Sequence, residues 1–191
     1  MKKLEIYRIA LAQHAKSCTQ EEMDATVKPT EVEACDRMYE MAVQDVLGEY
    51  DWSFCVRPVN LILEDDEPYG KWAHGYALPS GLIRIVRTLP RQKPFRISNG
   101  RYYTNEDNPE TWGITMDSGI MEMAPRDFCN LVGLWLGYLI STIVSPSDTN
   151  LANRILQNYS AHLHSLMQRE NQSVQDNYLD EDDWSARKGR L

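Results

Sequence analysis

The stretch Ala124-Pro125-Arg126-Asp127-Phe128-Cys129-Asn130-Leu131-Val132-Gly133-Leu134-Trp135-Leu136-Gly137-Tyr138-Leu139-Ile140-Ser141-Thr142-Ile143-Val144-Ser145-Pro146-Ser147 decides how the chain is read. From Phe128 to Ser147 it carries no charge, and that length is enough to cross a bilayer. Asn130, Ser141, Thr142, Ser145 and Ser147 interrupt its apolar character. Pro125 suits a first helical turn, where its missing N–H costs nothing, and Pro146 stops the helix near Val144. The stretch therefore predicts a helix buried in a bundle or at a subunit contact, and not a membrane span. Gly133 and Gly137 form a small-xxx-small pair that lets another helix approach closely.

Working outward, Asp148 caps a second helix over residues 149–169, and the short link makes the pair an antiparallel α-hairpin. Leu151, Ile155, Tyr159, His162, Leu163 and Leu166 lie along its buried stripe. From Asn171 the apolar period disappears. Upstream, residues 4–16 read as a helix and residues 17–29 as a polar loop. Thr30-Glu31-Val32-Glu33 is a capping box that opens a helix with apolar residues from Val32 to Leu47 and a stop at Gly48.

Between these helices the pattern changes to strands. Residues 52–63 alternate loosely, residues 64–68 are an acidic turn, and residues 82–89 and 111–116 are strands. Asn99-Gly100 favours a type I′ hairpin turn within residues 95–104. That register sets Ser98 across from Arg101, Ile97 from Tyr102 and Arg96 from Tyr103. It turns Phe95, Ile97 and Tyr102 inward, and Arg96, Arg101 and Tyr103 toward solvent or a partner.

A net charge of −8 argues against general nucleic-acid affinity, which needs clustered bases. Residues 68–105 nevertheless hold Lys71, Arg84, Arg87, Arg91, Lys93, Arg96 and Arg101 with no acid, which leaves −15 on the rest of the chain. This segment reads as a contact surface for an acidic partner, ahead of a solvated face and of a nucleic-acid surface. Cys18, Cys35, Cys55 and Cys129 lack metal or redox spacing and read as reduced, buried residues. The basic amino terminus has no apolar stretch behind it, so no signal peptide is expected. His162 and His164 are two apart and point away from each other on a helix, and no catalytic or nucleotide motif occurs, so no metal or cofactor is expected. Asp65 and Asp66 sit in a solvated turn. The acidic run Asp180 to Asp183 is followed by Trp184, a large ring that gains from a partner's pocket.

Taken in order, Trp52 and Phe54, Tyr76-Ala77-Leu78-Pro79, Arg84, Gly100, Pro125 and Phe128, and Trp184-Ser185-Ala186-Arg187 resemble the tail tubular protein A family, the head-to-tail adaptors of short-tailed, podovirus-type phages. The match covers most of the chain from the second helix onward, with a longer insert at residues 64–75. The expected fold is α+β: a helical bundle (1–51 and 124–171), a small antiparallel β domain inserted between the second and third of about four helices (52–123), and a flexible acidic tail (172–191). The resemblance implies a virion protein at the head–tail junction, assembled in the host cytoplasm and performing no chemistry. It would form a dodecameric ring between the portal protein and the tail nozzle, around a channel through which genomic DNA passes, with no membrane involved. Tyr178, Asp183, Trp184 and Arg187 would bind the portal, and Arg96, Arg101 and Tyr103 would face the nozzle. Gly133, Gly137 and Trp135 would pack subunits together. The alternatives are a tail nozzle or tail-completion protein, and a virion-associated cell-wall hydrolase, which would need a buried acidic pair.

Overall fold

The computed structural model describes residues 2–64, 70–89, 93–117 and 119–188, with side chains as far as residue 172 in the last helix. The chain is α+β, 51% helical and 19% strand, with antiparallel sheets. Its order is α1 (Lys2–Ala12), α2 (Gln20–Asp24), α3 (Thr30–Glu49), β1 (Arg57–Val59), β2 (Ile62–Leu63), β3 (His74–Ala77), β4 (Leu82–Leu89), β5 (Phe95–Ser98), β6 (Arg101–Thr104), β7 (Glu110–Thr115), α4 (Ile120–Met123), α5 (Arg126–Val144) and α6 (Thr149–Lys188). It forms two compact units, Met1–Val46 with Pro125–Leu191, and Leu47–Ala124.

In the helical unit, α5 packs against α1 on one side and α6 on the other. Ile6, Tyr7, Ala10 and Leu11 of α1, Phe128, Leu131, Val132, Leu136 and Ile140 of α5, and Leu151, Ile155 and Tyr159 of α6 are buried. These spacings follow the helical repeat, so each helix turns one apolar face inward. α5 is long and apolar enough to span a bilayer, and most of its apolar face is buried within its own unit. His162, expected on the buried stripe of α6, is exposed, because the stripe turns through Leu163 and Leu166 instead.

The ends of the first helices differ from expectation for local reasons. α1 stops at Ala12 in a turn where the amides of His14 and Lys16 both donate to the Leu11 carbonyl, and Ala15 takes a positive φ of 54°. Residues 17–29 are not all loop. Thr19 and Glu22 form a reciprocal capping box and start α2. The box expected at Thr30 is not made: the Pro29 carbonyl accepts from both Val32 and Glu33 at 3.0 Å. The Glu33 carboxylate pairs forward with Arg37 at 3.4 Å.

The carboxyl-terminal segment, expected as a flexible tail, is helical as far as Lys188. Loss of the apolar period removes packing partners but not helix-forming residues. No Gly or Pro occurs from Thr149 to Lys188, and Gly189 is the first breaker.

In the β unit the strands form two sheets, with orders β1-β7-β4 and β2-β3-β6-β5. All pairings are antiparallel. The single strand expected over residues 52–63 is split. Trp52 is buried in a turn, where its carbonyl accepts from the Cys55 amide at 3.0 Å, and β1 and β2 then join different sheets. The hairpin has the register read from Asn99-Gly100, and both turn residues have positive φ, 52° and 72°. The Tyr76 hydroxyl accepts from the Asn108 amide at 3.0 Å and lies 3.2 Å from the Glu106 carbonyl, to which it donates. Burial pushes the Tyr102 phenol up, and a hydrogen bond with Thr88 of β4 opposes that shift and ties the two sheets together.

Candidate partner-contact surfaces

The basic stretch of the β unit is segregated in sequence but paired in space. Arg101 meets Glu64 at 2.7 Å, Lys93 meets Glu106 at 3.0 Å, and Arg84 pairs with Asp51. Lys71 lies over the Trp72 ring and Arg87 over Trp112, at 5.0 and 4.4 Å from the centroids. His74 reaches Asp107 at 2.9 Å. The acids come from just outside the basic segment and fold back onto it. Arg91, Asp65 and Asp66 lie outside the described residues. A uniformly positive face, which a nucleic-acid backbone would require, is therefore absent among the described residues.

The hairpin residues divide differently from the alternation rule. Arg96 is exposed, Arg101 is half-buried at its ion pair, and Tyr103 is buried. Tyr103 was expected on the outer face. It lies across from Gly75 of β3, and a Cβ on Gly75 would stand 3.2 Å from its ring, so the phenol fills the space that the glycine leaves. On the other face Phe95 and Ile97 are 43% and 48% exposed, because β5 is an edge strand covered on one side only. Phe95 is stacked on Tyr102 with centroids 5.1 Å apart.

The small-residue pair of α5 faces α1 of its own chain. A Cβ on Gly133 would stand 2.6 Å from Ile9 Cγ2, and one on Gly137 would stand 3.1 Å from the Ala10 carbonyl. These glycines, expected between subunits, instead permit a close intrachain helix crossing. His14 locks the crossing, with Nε2 2.9 Å from the Gly137 carbonyl and Nδ1 3.0 Å from Ser145 Oγ. Trp135 is half-buried. Its indole N–H donates to Asp45 at 2.8 Å, and its ring packs on Tyr138 and Tyr159.

No motif or periodicity signals the node at Asp36. Lys3 at 3.1 Å, Tyr7 at 2.6 Å and Lys28 all converge on its carboxylate, joining α1, the loop before α3 and α3 itself. Burial alone would raise this carboxyl, but the bonds from Lys28, Tyr7 and Lys3 outweigh it and hold it at about 2. Burial and the neighbouring Asp36 push the Tyr7 phenol up, and burial pushes the Cys35 thiol to about 12. Periodicity cannot reveal such a node, because the groups that meet Asp36 lie 8 to 33 residues from it along the chain.

Tyr178, Asp183, Trp184 and Arg187 fall on the distal part of α6, where side chains lie outside the described residues. The backbone there can be placed. Arg169 pairs with Asp127 in the first turn of α5 at 2.9 Å. At 1.5 Å per residue, residues 170–188 carry α6 roughly 28 Å beyond that point.

No group of His, Cys, Asp and Glu among the described residues could hold a metal. A cleft of about 230 Å³ in the β unit is lined by Pro58, Val59, Tyr76, Asn108 and Thr111, with a single carboxylate at Glu110. Glu110 Oε1 accepts from the Trp112 indole at 2.9 Å. No protein-family model matches the chain, and no curated protein sequence matches it.

Proposed function

We propose that this chain is a structural head-to-tail adaptor of a short-tailed phage, part of the virion and assembled in the host cytoplasm. On this reading a helical bundle with an inserted β domain repeats around a dodecameric ring between the portal protein and the tail nozzle. Genomic DNA passes through the ring without specific binding. The observation that carries the reading is the projection of α6. A helix packed on α5 for its first half and running on past it is an arm suited to a neighbouring component. The motif order from Trp52 to Arg187 points the same way. The overall acidity supports it as well, since an acidic channel wall repels phosphate and lets DNA slide.

The test compares the full chain with one truncated after residue 172, each mixed with the portal ring and viewed by electron microscopy. The expected result is a collar of density on the portal for the full chain and loss of binding for the truncated one. Equal binding by both chains, or a monomer that clears peptidoglycan in a zymogram, would reject the assignment.

A further inference from the structure

The two sheets of the β unit treat their edges differently. In the sheet β1-β7-β4 both edges are blunted: β1 contains Pro58, and β4 has register irregularities between Leu82 and Arg84 and between Ile85 and Arg87. Proline and bulges are the usual devices that stop an edge from recruiting another strand. The sheet β2-β3-β6-β5 has neither device within its edge strands. Half of the large apolar side chains exposed among the described residues sit on β2 and β5: Ile62 at 69%, Leu63 at 51%, Phe95 at 43% and Ile97 at 48%.

The two edges fit one another. The Glu64 amide donates to the Gly75 carbonyl at 3.0 Å. In an antiparallel ladder this alternation turns the N–H and C=O of Leu63 away from β3. Ser98 and Arg101 flank the two-residue turn and exchange bonds, so the corresponding groups of Phe95 and Ile97 point away from β6. Both strands thus offer outward backbone groups at residues on one face, because Leu63, Tyr76, Tyr102 and Ile97 form a single cross-strand row. Three antiparallel steps separate β2 from β5, so the two run in opposite senses.

We propose that copies of this chain join edge to edge, with β2 of one copy adding antiparallel to β5 of the next. Leu63 lies opposite Ile97, and Glu64 lies opposite Arg96. The inference rests on the ring reading above and supplies its subunit seam. This register sets the exposed Leu63 and Ile97 side chains against each other on one face. It also sets a carboxylate across from a guanidinium on the other face, where Glu64 and Arg96 belong to the row through Gly75 and Tyr103. The alternative register, Leu63 opposite Phe95, would put Glu64 against Pro94 and lose that pairing. Because the contact joins two different edges, it is head to tail, and such contacts close into rings when the rotation allows.

The experiment uses the full chain with Leu63→Cys and Ile97→Cys. All four native cysteines are buried, so mild oxidation reports on the new pair. The single variants mixed in equal amounts are expected to give a covalent dimer, and the double variant a ladder of multimers on a non-reducing gel. Adding Ile97→Lys to a chain carrying Ile62→Cys and Ser98→Cys, which lie opposite each other in the same register, should cut the multimers at least about tenfold, since a charge replaces a buried apolar group. Dimers formed by Ile97→Cys alone as readily as by the mixture would overturn the proposal, because β5 would then pair with itself. So would an absence of cross-links. If rings are still seen by microscopy without cross-links, the adaptor reading stands and only the strand seam falls. A ladder from chains that never bind a portal leaves the seam and removes the adaptor.

Discussion

Replacing Gly133 with alanine should destabilise the protein, although alanine is the better helix former. The gain in helix propensity is about 1 kcal/mol. Against it, the added methyl would stand 2.6 Å from Ile9 Cγ2, 2.8 Å from Ile9 Cβ and 3.2 Å from the Ile6 carbonyl. Ile9 Cβ and the Ile6 carbonyl are fixed to the α1 backbone, so no rotamer change relieves the overlap and α1 must shift away from α5. Overpacking of this kind costs about 1–3 kcal/mol, and a displaced helix belongs at the upper end. The net loss is therefore about 2 kcal/mol. Gly137→Ala is the internal control. Its methyl would meet the Ala10 carbonyl at 3.1 Å and Ala10 Cα and Gln13 Cγ at 3.4 Å, a few tenths of an ångström too close. That cost is about 1 kcal/mol and cancels the propensity gain. Urea unfolding followed by circular dichroism, at two protein concentrations a decade apart, measures both. The intrachain crossing requires that Gly133→Ala lose stability equally at both concentrations. A Gly133→Ala chain as stable as its Gly137→Ala counterpart would refute the argument. The double change Gly133→Ala with Ile9→Ala removes the nearest atom and should be less damaging than the sum of the singles by about 1 kcal/mol.

Three other outcomes are expected. Asp36 is held at about 2 in the folded chain, below its ordinary 3.8, so the unfolded chain binds the extra proton. Its contribution is complete above about pH 4 and is lost as pH falls through 2. With the side chain 24% exposed, that contribution is at most about 2 kcal/mol, and Asp36→Asn should flatten the acid limb of a stability-versus-pH curve. All four thiols are buried and burial raises those of Cys18, Cys35 and Cys129, so iodoacetamide at pH 8 should label none until urea unfolds the chain. Mass spectrometry reads this directly. Gly100 has φ +72° with nothing within 4 Å of a new Cβ, so Gly100→Ala should lose about 1 kcal/mol from backbone strain alone and Gly100→Asn less, which thermal unfolding can rank.

Where structure follows from neighbours in the chain, it could be read in advance. The hairpin register depends only on Asn99-Gly100 and the alternation around it, and β4 depends on a run of Ile and Val bounded by turns. α5 was readable because a charge-free stretch lay between two prolines. Reading failed where the deciding atoms are distant in sequence. The glycine pair signals a close helix approach, but nothing in residues 124–147 says whether the approaching helix is α1 or a neighbour's. Tyr103 was placed outward by alternation, which does not record that Gly75 leaves a hollow for its ring. The end of the apolar period suggests a tail over residues 172–191, yet packing and helix propensity are separate properties, and the helix runs on to Lys188.

The basic segment shows how a one-dimensional pattern can point to the wrong kind of surface. Seven bases without an acid suggest a charged face, but Asp51, Glu64 and Glu106 return from either side to meet Arg84, Arg101 and Lys93. Exposed pairs of this sort contribute little stability each. Their larger effect is on recognition, because a paired guanidinium has weak long-range pull on an acidic partner. What the β unit still offers a partner is its backbone: two strand edges with outward amide and carbonyl groups and apolar side chains beside them. Such groups gain little from a partner found by charge alone and much from another strand of matching register. A chain that repeats the same sheet in every copy supplies that strand itself. This favours contacts between identical subunits over contacts with an acidic partner as the use of this face.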